Sequence, residues 1–387
     1  MKKRALTFLF LLPSLLFGQS LGEVWAQIKS NNVTINALEQ QMKADKIGNH
    51  TGLAPDDPEV EFAHLWGNPD AIGHRIDVSV TQSFDFPTAY VHRARIASLR
   101  DEQAELAYIR QCDEILLQTG ELYYGILYHN TRIHDMEHCL QFLSDLAEAQ
   151  RKKLDAGEIN IFDYNKIKLS ELNLRQTMSQ VETERDGLLL ELQQLNGGKP
   201  VAVTMDRFPT LALPEQWEAQ IERSPLFQWF DKQREIALQQ VRLERSMWAP
   251  RLSVGYMREQ VPSELFHGIK VGVSVPLWHQ TNSVRQAQLQ QSAAAMMAAD
   301  EQFRLRARLQ ADYAAARTLL RQIEEYRQLL ETVDSFTLLR QALESGQLSI
   351  VEYLMETSIY HESHERFAEM QYKAAKRILA LQVLCTK

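Results

Sequence analysis

The 387-residue chain is poor in cysteine: Cys112, Cys139 and Cys385 are its only three. An odd number with no metal-ligand spacing excludes a disulfide framework and a structural zinc site. All three fall in helical patterns and read as small, buried, apolar residues. Long apolar runs are missing too. After the first twenty residues no stretch approaches the roughly 18 apolar residues of a membrane-spanning helix. Membrane strands stay open, because each needs only about ten alternating residues. Basic runs are absent and the formal charge is −8, which argues against a nucleic-acid partner. There is no Gly-rich phosphate loop, nucleophile elbow, zinc-protease helix motif or cofactor fingerprint. The chain is therefore expected to be no enzyme and to carry no cofactor.

What is present begins with a processing segment, residues 1–20. Lys2, Lys3 and Arg4 precede the apolar run "ALTFLFLLPSLLF", too short to span a bilayer comfortably. Gly18 and Ser20 have the spacing of a cleavage site, although cleavage after Gly18 also fits. This predicts an exported chain, more acidic once the three basic residues are removed. No Cys stands near this site to carry a lipid.

The remainder is a tandem duplication. "LDAGEINIFDY", Leu154 to Tyr164, aligns without a gap with "LESGQLSIVEY", Leu343 to Tyr353. Each half reads helix, strand, strand, long helix, Gly break, helix. In the first half (21–197) the strands are expected at about 58–67 and 74–86, and a helical hairpin at about 89–195. In the second (215–387) the strands fall at about 250–260 and 267–277, and the hairpin at about 282–384. Residues 198–214 link the halves. In the second strand Ile76, Val78, Val80, Phe84 and Phe86 share one parity, and Arg75, Asp77, Ser79, Thr81, Ser83 and Asp85 the other. That period of two gives one greasy and one polar face. The long helices carry apolar or small residues every seven: Cys112, Thr119, Ile126, Ile133, Leu140, Ala147 and Leu154, then Leu309, Ala316, Ile323 and Leu330. Sustained heptads mean long helices packed side by side. The first, at about 1.5 Å per residue, reaches on the order of 100 Å. The leading segment from Leu21, and "PEQWEAQI…RSMW" in the second half, each read as one helix.

Four strands whose edges lack partners within the chain point to a cyclic oligomer that closes them into a barrel. In an outer membrane its Ile/Val/Phe side would face lipid. Trp66, Phe84, Phe86, Tyr90, Trp248, Tyr256 and Trp278 lie in or near strand ends, where an interfacial girdle is expected. The competing reading is a periplasmic coiled-coil scaffold or adaptor outside any membrane.

The signal segment, the duplicated helix–strand–strand–helix units, "GVSVPLW" closing a strand and the Arg-x-x-Leu-x-x-Gly spacing at both breaks together resemble the TolC-like outer-membrane efflux protein family. The resemblance covers essentially the whole chain after the leader. It implies a mainly α fold with a small transmembrane β-barrel contribution, assembled as a homotrimer. Each protomer would give four strands to a twelve-stranded outer-membrane barrel and long helices to a periplasmic tunnel. It also implies two partners, a periplasmic adaptor (membrane fusion) protein and an inner-membrane pump of the RND type. The function implied is that of a passive conduit in tripartite efflux or secretion, located in the bacterial outer membrane with most of the chain in the periplasm. The short connections "NPDAIG" and "PSELF" depart from larger members and imply small external loops. The segment "GGKPVAVTMDRFPTLALP" would sit in a modest equatorial region.

On that resemblance the periplasmic tips, as adaptor contact or gate, fall to Arg151, Leu154, Gly157 and Asp163 in one copy and to Arg340, Leu343, Gly346 and Glu352 in the other. The glycines are also ordinary helix caps, needing positive φ. Asp155, Glu158 and Glu344 would form rings of carboxylate in a trimer and favour cations; a solvated helix end explains them as well. His134/His138 and His361/His364 read as helix-surface pairs, and no metal site is expected from them.

Overall fold

The computed structural model describes residues 19–278, 281–332 and 335–385. The processing segment lies almost wholly outside these. Nine helices and four strands follow one another among the described residues. Of these residues, 19–33, 113–217 and 309–385 form one compact unit, and 34–112 with 218–308 form another.

The strand-bearing unit holds one antiparallel sheet in the order β1 (Glu59–Trp66), β2 (His74–Phe84), β3 (Arg251–Val261) and β4 (Glu264–Ser274). The two halves of the sequence meet at β2–β3, where Val80 faces Tyr256 and Phe84 faces Leu252. The second hairpin is tighter than expected. Glu264, Leu265 and Phe266 belong to β4, so only Pro262 and Ser263 connect the strands. The first hairpin carries a short 3-10 helix, Asp70–Ile72, in its connection. At the base of the sheet Asp85 is buried and accepts from Arg93 Nη2 at 2.6 Å, while Arg251 Nε stands 2.8 Å from its other oxygen.

The helical segments keep their expected places with two corrections. The leading segment is two helices, α1 (Leu21–Asn31) and α2 (Val33–Asn49). Asn32 between them takes an extended ψ of 119° and donates its side-chain amide to Leu195 O at 2.7 Å. The corresponding segment of the second half is also split, into α5 (Trp217–Ile221) and α6 (Pro225–Ser246). Ser224 caps α6 and Pro225 occupies its first turn, where the missing N–H costs nothing. The break at Asn32 follows the polar run Lys29 to Asn32, and Ser224–Pro225 is itself a helix-start signal that a one-helix reading passes over.

The first long helix, α3, spans Pro87–Asp155, and α4 spans Ile161–Leu195. In the second half α7 (Ser283–Thr332) and α8 (Ser335–Glu344) stand on either side of 333 and 334, outside the described residues; α9 runs Ile350–Cys385. Most of the residues spaced by seven form a buried seam, while Cys112, Leu140, Leu154 and Leu330 are half-buried. Thr119 and Ile126 have no exposed surface, and Ile133 and Ala147 are buried, as are Leu309, Ala316 and Ile323. Ile133 and Met136 of α3 pack on Val181 of α4, with Leu174 and Met178 beside them. Cys139 is buried and Cys112 half-buried; the side chain of Cys385 lies outside the described residues. In the linking segment Val201 and Val203 are buried, and Asn130 of α3 donates to the carbonyls of Val203 and Met205 at 2.9 Å.

Candidate functional site

The sheet offers the first functional surface. Pairing places Val60, Phe62, Val78, Val80, Leu252, Val254, Tyr256, Ile269, Val271 and Val273 on one face. All ten are exposed, Ile269 by 80%. The same face also carries Gln82, Arg258 and His267, so it is predominantly and not wholly apolar, but ten exposed apolar side chains gathered on one face mark an interaction surface. The opposite face carries Glu61, Arg75, Asp77, Ser79, Glu259 and Lys270. Tyr256 lies mid-strand opposite Val80 and Ile269, not at a strand end. Trp66, Trp248 and Trp278 are exposed at or beyond strand ends. In this single chain β1 and β4 are the edges, each paired on one side only.

The two helical tips offer the second. At the α3–α4 break Gly157 takes φ 74°. Its N–H donates to Leu154 O at 2.9 Å, and the Glu158 N–H donates to Lys153 O at 2.9 Å. At the α8–α9 break Gly346 takes φ 72°, its N–H donates to Leu343 O, and the Gln347 N–H donates to Ala342 O at 2.8 Å. Both are the same doubly hydrogen-bonded helix ending, which the left-handed residue permits. An added Cβ would meet nothing within 4 Å at either glycine, so backbone conformation alone selects glycine here.

Both following helices are capped by their own side chains. Asn160 Oδ1 accepts from the Asp163 N–H at 2.9 Å and its amide donates to Asp163 Oδ2 at 2.8 Å. At the other tip Ser349 Oγ likewise accepts from the Glu352 N–H at 3.2 Å, but it is the Ser349 backbone N–H that donates to Glu352 Oε2, at 2.8 Å. The two acids carried over by resemblance thus have a local task, and the polar-x-x-acid spacing before an apolar run was the signal for it.

The copies differ in what they bring together. Arg340, Leu343 and Glu344 line a cavity of about 270 Å³ with Phe142 and Tyr353. Arg340 Nε donates to Glu344 Oε1 at 2.9 Å, and that bond raises the guanidinium pKa. Tyr353 is fully buried against Phe142, ring centroids 5.9 Å apart, and burial pushes its hydroxyl up to about 12. Its counterpart Tyr164 is only half-buried. In the first copy Arg151, Asp155 and Glu158 are exposed and Leu154 half-buried.

The histidines are not two unrelated surface pairs. His138 of α3 with His361 and His364 of α9 line one cavity that also contains Asp135. Spacing along either helix alone gives no sign of this meeting.

No protein-family model matches the sequence, and no curated protein matches it. Solved structures do. The Campylobacter jejuni CmeC outer membrane channel superposes with a TM-score of 0.78 at 12% identity, over 95% of this chain and 85% of that one. The outer membrane protein VceC of Vibrio cholerae gives 0.78 at 12% identity, over 94% and 95%. The open state of the Neisseria gonorrhoeae MtrE outer membrane channel gives 0.72 at 10% identity, over 94% and 88%. The resemblance read from the sequence is borne out at the level of the fold: the chain is built as these outer-membrane channels are.

Proposed function

We propose that the protein is the outer-membrane channel of a tripartite efflux or secretion system, a passive conduit working with a periplasmic adaptor and an inner-membrane pump of the RND type. The observation that carries this is the exposed apolar face on a sheet with two unpaired edges. An even number of alternating strands lets β4 of one copy pair antiparallel with β1 of the next. A ring of copies then closes without an open edge, which a bilayer requires. Three copies would give twelve strands. No helix among the described residues is long and apolar enough to cross a membrane, so the sheet is the element offered to lipid.

On this reading the helices form the periplasmic part, and the turns at Gly157 and Gly346 meet the adaptor. Residues 21–197 and 215–387 are the two structural repeats, with 198–214 between them. A periplasmic scaffold has no use for an uncovered apolar sheet. The test is extraction and sizing. The protein should require detergent to leave the outer-membrane fraction, run as a homotrimer, and open conducting pores in planar bilayers. Recovery as a soluble periplasmic monomer would overturn the proposal.

A further inference from the structure

On α3, Asp135 and His138 stand three residues apart and share a helix face; on α9, His361 and His364 do the same. The two faces meet. All four side chains line one cavity of about 280 Å³, with Tyr360 and Cys139 in its wall. We propose that Asp135, His138, His361 and His364 bind one divalent transition-metal ion of the Zn²⁺ class, linking α3 to α9.

Four features support this. His364 Nδ1 stands 3.8 Å from Asp135 Oδ2, too far for a hydrogen bond. It is close to the roughly 3.4 Å that separates two ligands of one tetrahedral ion at metal–donor distances of about 2.1 Å. The other ring nitrogen, Nε2, is buried without a hydrogen-bond partner, so no bond on that side fixes the ring against turning Nδ1 to an ion. Two three-residue pairs on facing helices are how helical bundles build metal sites. The donor set of three imidazoles and one carboxylate suits Zn²⁺, Cu²⁺ or Ni²⁺ and not the all-oxygen demand of Ca²⁺.

The surroundings agree. Arg132, one turn before Asp135, is engaged by Glu365 at 2.7 Å, which tempers its repulsion of a cation. As the side chains stand, no three such donors among the described residues converge closely enough to hold an ion. Binding therefore requires ring rotation. The His138 ring now lies edge-on to His134, centroids 4.6 Å apart, and His364 lies 4.5 Å from the Tyr360 ring.

The experiment is calorimetric titration of the full-length, detergent-purified protein, without a histidine tag, using Zn²⁺ alone. One ion should bind per chain and raise the thermal midpoint. His364→Ala and His138→Ala should each weaken binding about tenfold or more. His50→Ala should leave it within about twofold, because that ring is engaged by Asp101 at 2.7 Å. Asp135→Asn preserves shape and should also lose affinity, which keeps the test valid if an alanine variant misfolds. Absence of saturable binding, or affinity untouched by both His364→Ala and Asp135→Asn, overturns the site. So would equal losses from His50→Ala and His364→Ala, the mark of loose surface chelation.

Discussion

The Ser349 N–H donates to Glu352 Oε2 at 2.8 Å, and the Glu352 N–H donates back to Ser349 Oγ at 3.2 Å. This closed pair starts α9, and its backbone bond, then its side-chain bond, hold the Glu352 carboxyl below the usual carboxylate range. Capping and partner docking separate by substitution. Ser349→Ala should cost about 1 kcal/mol, the usual loss for a removed cap, read from the denaturant midpoint. Glu352→Gln preserves the reciprocal bonds and should leave stability nearly unchanged. If Glu352→Gln nonetheless weakens adaptor binding, the charge acts in docking; if binding holds, the residue is a cap alone.

The glycines at the tips make a purely conformational prediction. Gly157→Ala and Gly346→Ala meet open space but force an L side chain into φ above 70°. Each should destabilise by about 1 kcal/mol, and Gly→Asn by less, because Asn tolerates the left-handed region. Equal losses for Ala and Asn in equilibrium denaturation would place the cost elsewhere.

Which features could be read from the sequence follows from the range of the signal. Val78, Val80 and Ile269 announce their face through period two, and Thr119 and Ile126 announce the seam through period seven, because both patterns are local. The breaks at Asn32 and Ser224–Pro225 did carry local signals, an Asn-Asn pair and a Ser-Pro pair, which a one-helix reading of each segment passed over. The role of Asn160 and Ser349 was visible in their spacing to Asp163 and Glu352 but gave way to a partner-contact reading of the acids. The joining of His138 to His361 and His364 could not be read at all. It depends on which two helices pack and at what register, and the duplication fixes neither.

If the apolar face of the sheet meets lipid as proposed, the two faces respond oppositely to charge. Ile269→Arg places a guanidinium on the apolar face, which should cost about 2–4 kcal/mol near a bilayer midplane. It should reduce the yield of assembled oligomer in the outer-membrane fraction. Ser79→Arg, on the other face, should assemble normally. On a soluble scaffold both would be ordinary surface changes within about 0.5 kcal/mol, so equal yields would argue against a membrane-embedded sheet.

Glu171 on α4 is buried and accepts from Lys168 and from Arg175 Nη2, the latter at 2.9 Å. The hydrogen bond from Lys168, outweighing the opposing effect of burial, lowers its pKa below 4.5, with Arg175 adding to the shift. A carboxylate with a lowered folded pKa stabilises the fold above its unfolded value, and that contribution disappears as pH falls through the folded value. Half-exposed Lys168 and Arg175 keep it modest. Urea midpoints measured from pH 7 down to pH 3 should therefore fall less steeply below about pH 4.5 in Glu171→Gln than in the parent. Parallel curves would show that the pair contributes no pH dependence.

The tip acids are not equivalent, and single-channel recording can tell them apart. Asp155 and Glu158 are exposed, and among the described residues neither is held in an ion pair. Glu344 is bonded to Arg340, so its charge is already offset. If these acids ring a shared pore mouth, removing the free charges lowers the local cation concentration and the paired acid matters less. Asp155→Ala and Glu158→Ala should each reduce cation preference or relieve block by divalent cations. Glu344→Ala, which exposes the Arg340 charge, should push selectivity toward anions only if that guanidinium also faces the pore. Conductance and selectivity unchanged in Asp155→Ala and Glu158→Ala would remove these carboxylates from the gate and leave them as solvated ends of α3.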